Sequence, residues 1–111
     1  MYKYVINILL PIFILSIVSS QDHGWIVYDE DNSGIQVDNI DNIAVDGNII
    51  WLTTSDGLIR YDGSTWLQYN TSNTNIVYDN LDELFIDQDG NIWADILTID
   101  GIGKFNGSSW T

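Results

Sequence analysis

After residue 20 the chain is a series of short apolar runs cut by Asp-Gly, Gly-Asn and Gly-Ser steps. The runs are rich in Ile, Val, Leu, Trp and Tyr, the residues that fill strands. The cuts supply the positive-φ positions that tight hairpins demand. The pattern predicts strands at residues 40–45, 49–53, 58–61 and 65–69, separated by Asp46-Gly47-Asn48, Ser55-Asp56-Gly57 and Asp62-Gly63-Ser64. No stretch after residue 20 has a convincing helical period. Ile43-Ala44-Val45, Ile49 to Leu52, Leu84-Phe85-Ile86 and Ile92-Trp93 are apolar on successive residues. A sheet wet on one face alternates, so these runs predict sheets covered on both faces.

The pattern repeats. Residues 54–66 return at 98–110 without a gap, with six of thirteen positions identical, among them Asp56/Asp100, Gly57/Gly101, Gly63/Gly107 and Trp66/Trp110. Residues 25–46 match 66–87 at an offset of 41, with eight of 22 identical. Residues 45–51 correspond to 86–93, with one residue gained there and two more after Trp93. A period of about 20–50 residues marks a solenoid, propeller or array. Four-stranded antiparallel sheets at this period predict an all-β chain forming a partial β-propeller of about two blades. The two units span residues 25–69 and 66–110. The second lacks most of its last strand, and residues 25–28 stand as a lone outer strand. A two-layer sandwich is the competing architecture, but it has no need of an internal repeat.

The repeat resembles the two-component regulator propeller repeat. Asn32-Ser33-Gly34-Ile35, Asp89-Gly90-Asn91-Ile92-Trp93 and residues 57–66 carry the likeness, in order and at one spacing. It covers residues 25–110. The resemblance implies blades of a large propeller. In that family some propellers are periplasmic sensor domains of hybrid histidine kinases that detect oligosaccharides. Others belong to secreted or surface proteins of Bacteroidetes-type bacteria, and Trp66 and Trp110 after Gly-Ser-x are closer to these. The chain departs from the pattern at Asp95-Ile96-Leu97, which lengthens a short step, and at Gly103, which replaces the apolar Ile59. It also holds no segment that could form a kinase. The expectation is therefore a non-enzymatic secreted or surface binding or scaffold module, a fragment of a larger propeller protein. The alternative is a truncated periplasmic sensor that binds an oligosaccharide.

Residues 1–20 read as a signal peptide: Lys3, an apolar run broken by Asn7, Pro11 and Ser16, then Ser19-Ser20. This predicts a secreted, periplasmic or cell-surface protein with no membrane segment after cleavage. The remaining 91 residues carry Arg60 and Lys104 against 16 acidic residues, a formal charge of −14. Such a surface repels nucleic acid and anionic membrane. There is no cysteine, so no disulfide supports this small fold. Stability must come from repeat stacking or from partners, and further propeller blades are the expected ones, with carbohydrate as the candidate ligand.

No catalytic, cofactor-binding or metal site is expected. Trp25, Trp66 and Trp110 are one repeat position, and Trp51 and Trp93 another. A residue recurring once per unit packs unit on unit, so Trp51 and Trp93 are both predicted to be buried. Gly57/Gly101 and Gly63/Gly107 are the repeating turn positions. The acidic run from Asp87 lacks EF-hand spacing, because Gly90 falls at the fourth position and Thr98 at the twelfth; it reads as a turn. His23 has no positioned nucleophile beside it. Residues 101–105 are expected to leave a three-stranded edge that can recruit another chain, so the chain is not expected to be a stable monomer: it is either a truncated piece or a protomer lending its outer strand to a neighbour. From the turn reading, millimolar calcium should leave the melting temperature unchanged. A rise of several degrees, reversed by chelator, would show the acidic turns to be a binding site.

Overall fold

The structure is a computed structural model and describes residues 24–111. The expected signal peptide and His23 lie outside the described residues. From Ile40 onward the chain forms two antiparallel sheets. The first holds β1 (Ile40–Asp46), β2 (Ile49–Thr54), β3 (Gly57–Tyr61) and β4 (Trp66–Tyr69), side by side in chain order. The second holds β5 (Leu81–Ile86), β6 (Ile92–Ile96) and β7 (Gly101–Phe105). The strand ends in the first sheet fall within one residue of those the apolar runs predict. Among the described residues no helix is long and apolar enough to cross a membrane.

One expectation is met and one needs correction. The second sheet has three strands, and its fourth is reduced to an isolated bridge, Phe105 to Trp110. Lys104 and Thr111 exchange backbone bonds of 2.8 and 2.9 Å beside it. Residues 25–28 form no strand at all. They lead into α1 (Glu30–Ser33), a single turn in a stretch with no convincing helical period. The Asp29 carboxylate caps this turn by accepting from the Asp31 and Asn32 N–H groups, and Gly34 at φ 71° closes it. One turn is too short to show a helical period in sequence; its signal was the capping chemistry.

The hairpins differ where the units differ. Thr54 pairs with Gly57 across a two-residue turn. Gly57 sits at φ 116°, and a Cβ there would lie 2.3 Å from the Tyr69 carbonyl oxygen. In the second sheet Ile96 pairs with Gly101 across four residues, three of which form a 3-10 turn (Leu97–Ile99). Asp100 takes the left-handed conformation there, at φ 48°, so Gly101 no longer does. The two extra residues therefore lie in the loop. The strand counterpart of Thr54 is Ile96, although the ungapped sequence match aligns it with Thr98. Gly63 and Gly107 hold matching turns at φ 97° and 102°.

Residues paired across antiparallel strands share a face, and faces alternate along each strand. Face one of the first sheet carries Ile43, Val45, Ile50, Leu52, Ile59, Tyr61 and Trp66. Face two carries Ile49, Trp51, Leu58, Arg60 and Tyr69. In the second sheet the corresponding face one carries Leu84, Ile86, Ile92, Ala94, Gly103, Phe105 and Trp110. The register of β1 and of β5 slips by one residue near the strand start, between Ile40 and Asn42 and between Leu81 and Leu84. Such a bulge lets Leu81 and Leu84, three residues apart, both reach the core.

The core forms where face two of the first sheet meets face one of the second. It gathers Trp51, Leu58, Ile76, Leu81, Ile92, Ala94, Ile96, Phe105 and Trp110, flanked by Ile49, Tyr69, Leu84 and Ile86. Phe105 is fully buried, with ring centroids 4.7 Å from Tyr69, 5.1 Å from Trp110 and 6.3 Å from Trp51. Phe105→Ala should cost about 3–5 kcal/mol in urea unfolding, the usual range for emptying a buried aromatic site. A loss under about 1 kcal/mol would mean that the two sheets do not stack through this ring.

Candidate functional site

The five tryptophans are not gathered in one place. Trp51 is 7% exposed inside the junction between sheets, its ring stacked on Tyr69 and the Arg60 guanidinium carbon 6.0 Å from its centroid. Trp110 is equally enclosed. Asn75 holds its backbone from both sides, accepting from its N–H at 2.7 Å and donating to its carbonyl at 2.8 Å. Gly103 faces its ring, and a Cβ there would come within 2.9 Å of it. The loss of the apolar side chain found at Ile59 thus makes room for Trp110. Trp66 is half-buried, stacked on Tyr61 at 4.1 Å with the Tyr28 ring at its edge. Trp25 is 98% exposed, and the packing expected of it is absent.

Trp93 also departs from expectation, at 38% exposed. It lies on face two of the second sheet, the counterpart of Trp51, but among the described residues nothing is stacked against that face. Its indole N–H donates to Asp87 Oδ2 at 2.8 Å, and Lys104 Nζ is 5.5 Å from its ring centroid. Asp87 organises the loop from β5 to β6. Its Oδ1 accepts from the backbone N–H groups of Asp89 and Asn91, and the Asn91 amide reaches both carboxylate oxygens. Gly90 takes φ 81°. This is the turn chemistry read from the sequence, with the Trp93 bond added. Donation from Trp93, then from Asn91, holds the Asp87 carboxyl down to about 2. Among the described residues, no three His, Cys, Asp or Glu side chains are placed to hold a metal.

The connecting loops share a second pattern. Asn70 and Asn73 bond as Asp29 and Asn32 do: backbone N–H to the Asn side-chain oxygen at 2.9 Å in both loops. The Asn73 amide donates to the Gln68 carbonyl as that of Asn32 donates to Val27, at 2.7 and 2.8 Å. Tyr69 leans on Phe105, and Tyr28 leans on Tyr61 at 5.4 Å. Tyr28 therefore occupies, on the first sheet, the place that Tyr69 occupies on the second. The hydroxyls of Tyr28 and Tyr61 are 3.1 Å apart, and that bond raises the Tyr61 pKa.

One apolar face, part of a second and a cleft remain open. Face one of the first sheet exposes Ile43 and Val45, with Ile40 at its rim, whereas Leu52 and Ile59 on the same face are buried. Face two of the second sheet exposes Phe85, Trp93 and Ile102, the last at 73%. The expectation of sheets covered on both faces holds at the centre of the first sheet, where Leu52 and Ile59 are buried on one face and Trp51 and Leu58 on the other, and fails at β1 and on face two of the second sheet. Sequence reasoning missed Ile43, Val45, Phe85 and Ile102 as surface residues. Their signal was available, since two stacked sheets must leave two outer faces. A cleft of about 930 Å³ lies between residues 28–40 and the first sheet, lined by Tyr28, Glu30, Asp38, Asp56, Trp66 and Gln68 among others. No family model, curated protein or solved structure gives a significant match to this chain.

The Asp87 geometry fixes a pH response. A carboxylate whose folded pKa is depressed adds stability above its unfolded pKa, and loses it as pH falls toward the folded value. The stability difference between the native chain and Asp87→Asn should therefore shrink from about pH 5 to about pH 2. The Trp93 emission should shift in the variant. A difference that stays constant over this window would show that the Asp87–Trp93 bond contributes nothing to stability.

Proposed function

We propose that the chain is a non-enzymatic binding or scaffold module, exported to the periplasm, the cell surface or the medium, and built as two blades of a larger β-propeller. One observation carries this reading: the sheets stack through unlike faces. Face two of the first sheet meets face one of the second. A sandwich with like faces turned inward would close on itself, whereas this junction can be repeated at either end. The matching loop bonds and the Tyr28/Tyr69 positions support the same view. The outer faces are then blade surfaces awaiting further blades. The resemblance to two-component regulator propeller repeats supports the class.

A second reading is a sensor domain that takes an oligosaccharide. The cleft beside Trp66 and Tyr28 favours it, because it sets aromatic rings among carboxylate and amide groups able to hydrogen-bond hydroxyls. A glycan array separates the two: binding that disappears in Trp66→Ala supports the sensor.

Appending a second copy of residues 67–110 after Trp110 tests the blade reading. A third sheet should cover Phe85, Trp93 and Ile102, raise the melting temperature by roughly 5 °C or more, and protect Trp93 from iodide quenching. A third unit that leaves both readouts unchanged would exclude blade stacking. No glycan hydrolysis should be detected with either chain.

A further inference from the structure

We propose that the cleft over the first sheet binds a primary carboxamide, and that its ligand is a peptide carrying asparagine. The site shares the cleft with the sensor reading but needs neither a glycan nor blade stacking.

The second unit supplies the template. The Trp110 N–H donates to the Asn75 side-chain oxygen at 2.7 Å, and the Asn75 amide donates to the Trp110 carbonyl at 2.8 Å. A primary carboxamide suits this pair because it sets one acceptor and one donor side by side. The first unit builds the same loop up to this point. Ser33 and Thr74 donate their backbone N–H and their hydroxyl to the Asp29 and Asn70 carbonyls respectively. Each hydroxyl also accepts from the N–H two residues on, at Ile35 or Ile76. Gly34 therefore stands where Asn75 stands, with no side chain. A Cβ at Gly34 would meet nothing within 4 Å.

Trp66 presents the same two backbone groups as Trp110. The Asp62 N–H bonds the Thr65 carbonyl, and Trp66 is the Cα partner of Tyr61. Bonded and non-bonded pairs alternate along antiparallel strands. The 61/66 pair is thus non-bonded, as the 105/110 pair is beside the mutual bonds of Lys104 and Thr111. The Trp66 N–H and C=O point away from β3, and no hydrogen bond reaches them among the described residues. The cleft of about 930 Å³ is lined by Trp66 and by Ser33 and Ile35, the neighbours of Gly34.

The two groups select their ligand. A carboxylate only accepts and an ammonium only donates, so each leaves one group unmet. A single trans amide directs its N–H and C=O apart and cannot span both groups of one residue. The asparagine side chain meets both, as Asn75 does. The lining of the cleft holds Asp29, Glu30, Asp38 and Asp56 but no Lys or Arg. Basic residues beside the asparagine therefore favour entry.

The test uses the full, isotope-labelled chain from an exporting host, titrated with the peptide Lys-Asn-Ile-Lys capped by acetyl and N-methylamide groups. The Trp66 backbone amide should shift downfield and exchange more slowly with solvent as the peptide binds. The same peptide with leucine for asparagine should bind about tenfold more weakly, since two hydrogen bonds are lost. Gly34→Asn supplies the carboxamide from within, and asparagine tolerates the φ of 71° found there. That variant should melt above both the native chain and Gly34→Asp, which tolerates the same φ but cannot donate, and it should lose the peptide response. Equal binding of the two peptides would overturn the proposal and assign the contact to backbone pairing along β4. So would a Trp66 amide that does not respond at millimolar peptide, or a Gly34→Asn chain that binds as the native one does. If Gly34→Asn fails to fold, the two peptides decide on the native chain alone. Neither the glycan array nor the appended unit reads residue 34, so failure here is distinguishable from failure of either reading above.

Discussion

The burial of Phe105 between two sheets is the contact on which the rest of the fold depends. The ring belongs to β7 and touches Trp51 and Tyr69 of the first sheet and Trp110 of its own. No disulfide is possible and no metal cluster is present among the described residues, so this junction bears most of the connection between the sheets. Aromatic rings in tilted contact add about 0.5–1.5 kcal/mol per pair beyond the area they bury. Small side chains frame the cluster. Gly103 admits Trp110, and Ala94 sits beside it in the next strand. The Asn75 clasp then fixes the Trp110 backbone where the fourth strand would begin.

Much of this was legible in the sequence because turn chemistry is local. Asp-Gly and Gly-Asn steps cut β1 to β4 within a residue of their ends, and the Asp62/Asn106 turns recur with matching bonds to the following Ser and Thr residues. What failed was non-local. Successive apolar residues say that both faces of a strand are suited to burial; they do not say that both partners are present. Trp93 and Trp51 are indistinguishable in sequence, and their different exposure follows only from which sheet stands at the end of the stack. Likewise Gly101 matches Gly57 by identity, but two added residues moved the left-handed position to Asp100. Trp25 matches Trp66, but among the described residues no counterpart of β3 lies beside it.

Tyr28 illustrates the limit from the other side. The repeat predicted an outer strand at residues 25–28, and no ladder forms. A strand needs a neighbour to satisfy its backbone, and the preceding sheet that would supply one is not among the described residues. The side chain nonetheless settles where its counterpart Tyr69 settles, because the aromatic surface of Tyr61 and Trp66 is complete without that sheet. Side-chain complementarity survived where backbone pairing could not. The Asp29 cap and the Asn32 bonds explain how: the loop that follows is built from its own polar groups and holds Tyr28 in place without any strand.

Charge is distributed by the same logic. Carboxylates crowd the turns, while the only two cations after residue 20, Arg60 and Lys104, take one pleat position on face two, each over a tryptophan. A cation above an indole face is attracted by the ring quadrupole, and its alkyl stem covers apolar surface. Within the existing junction Arg60 also lies 3.6 Å from Asp62. In the second unit Asn106 replaces that aspartate, and Lys104 makes no ion pair among the described residues. Its charge stands at the edge of the open face that carries Trp93, in a molecule that is otherwise strongly acidic. An acidic rim approaching that face gains a counter-ion where it would elsewhere meet repulsion. The uncompensated lysine therefore favours contact at this face over contact at other parts of the surface.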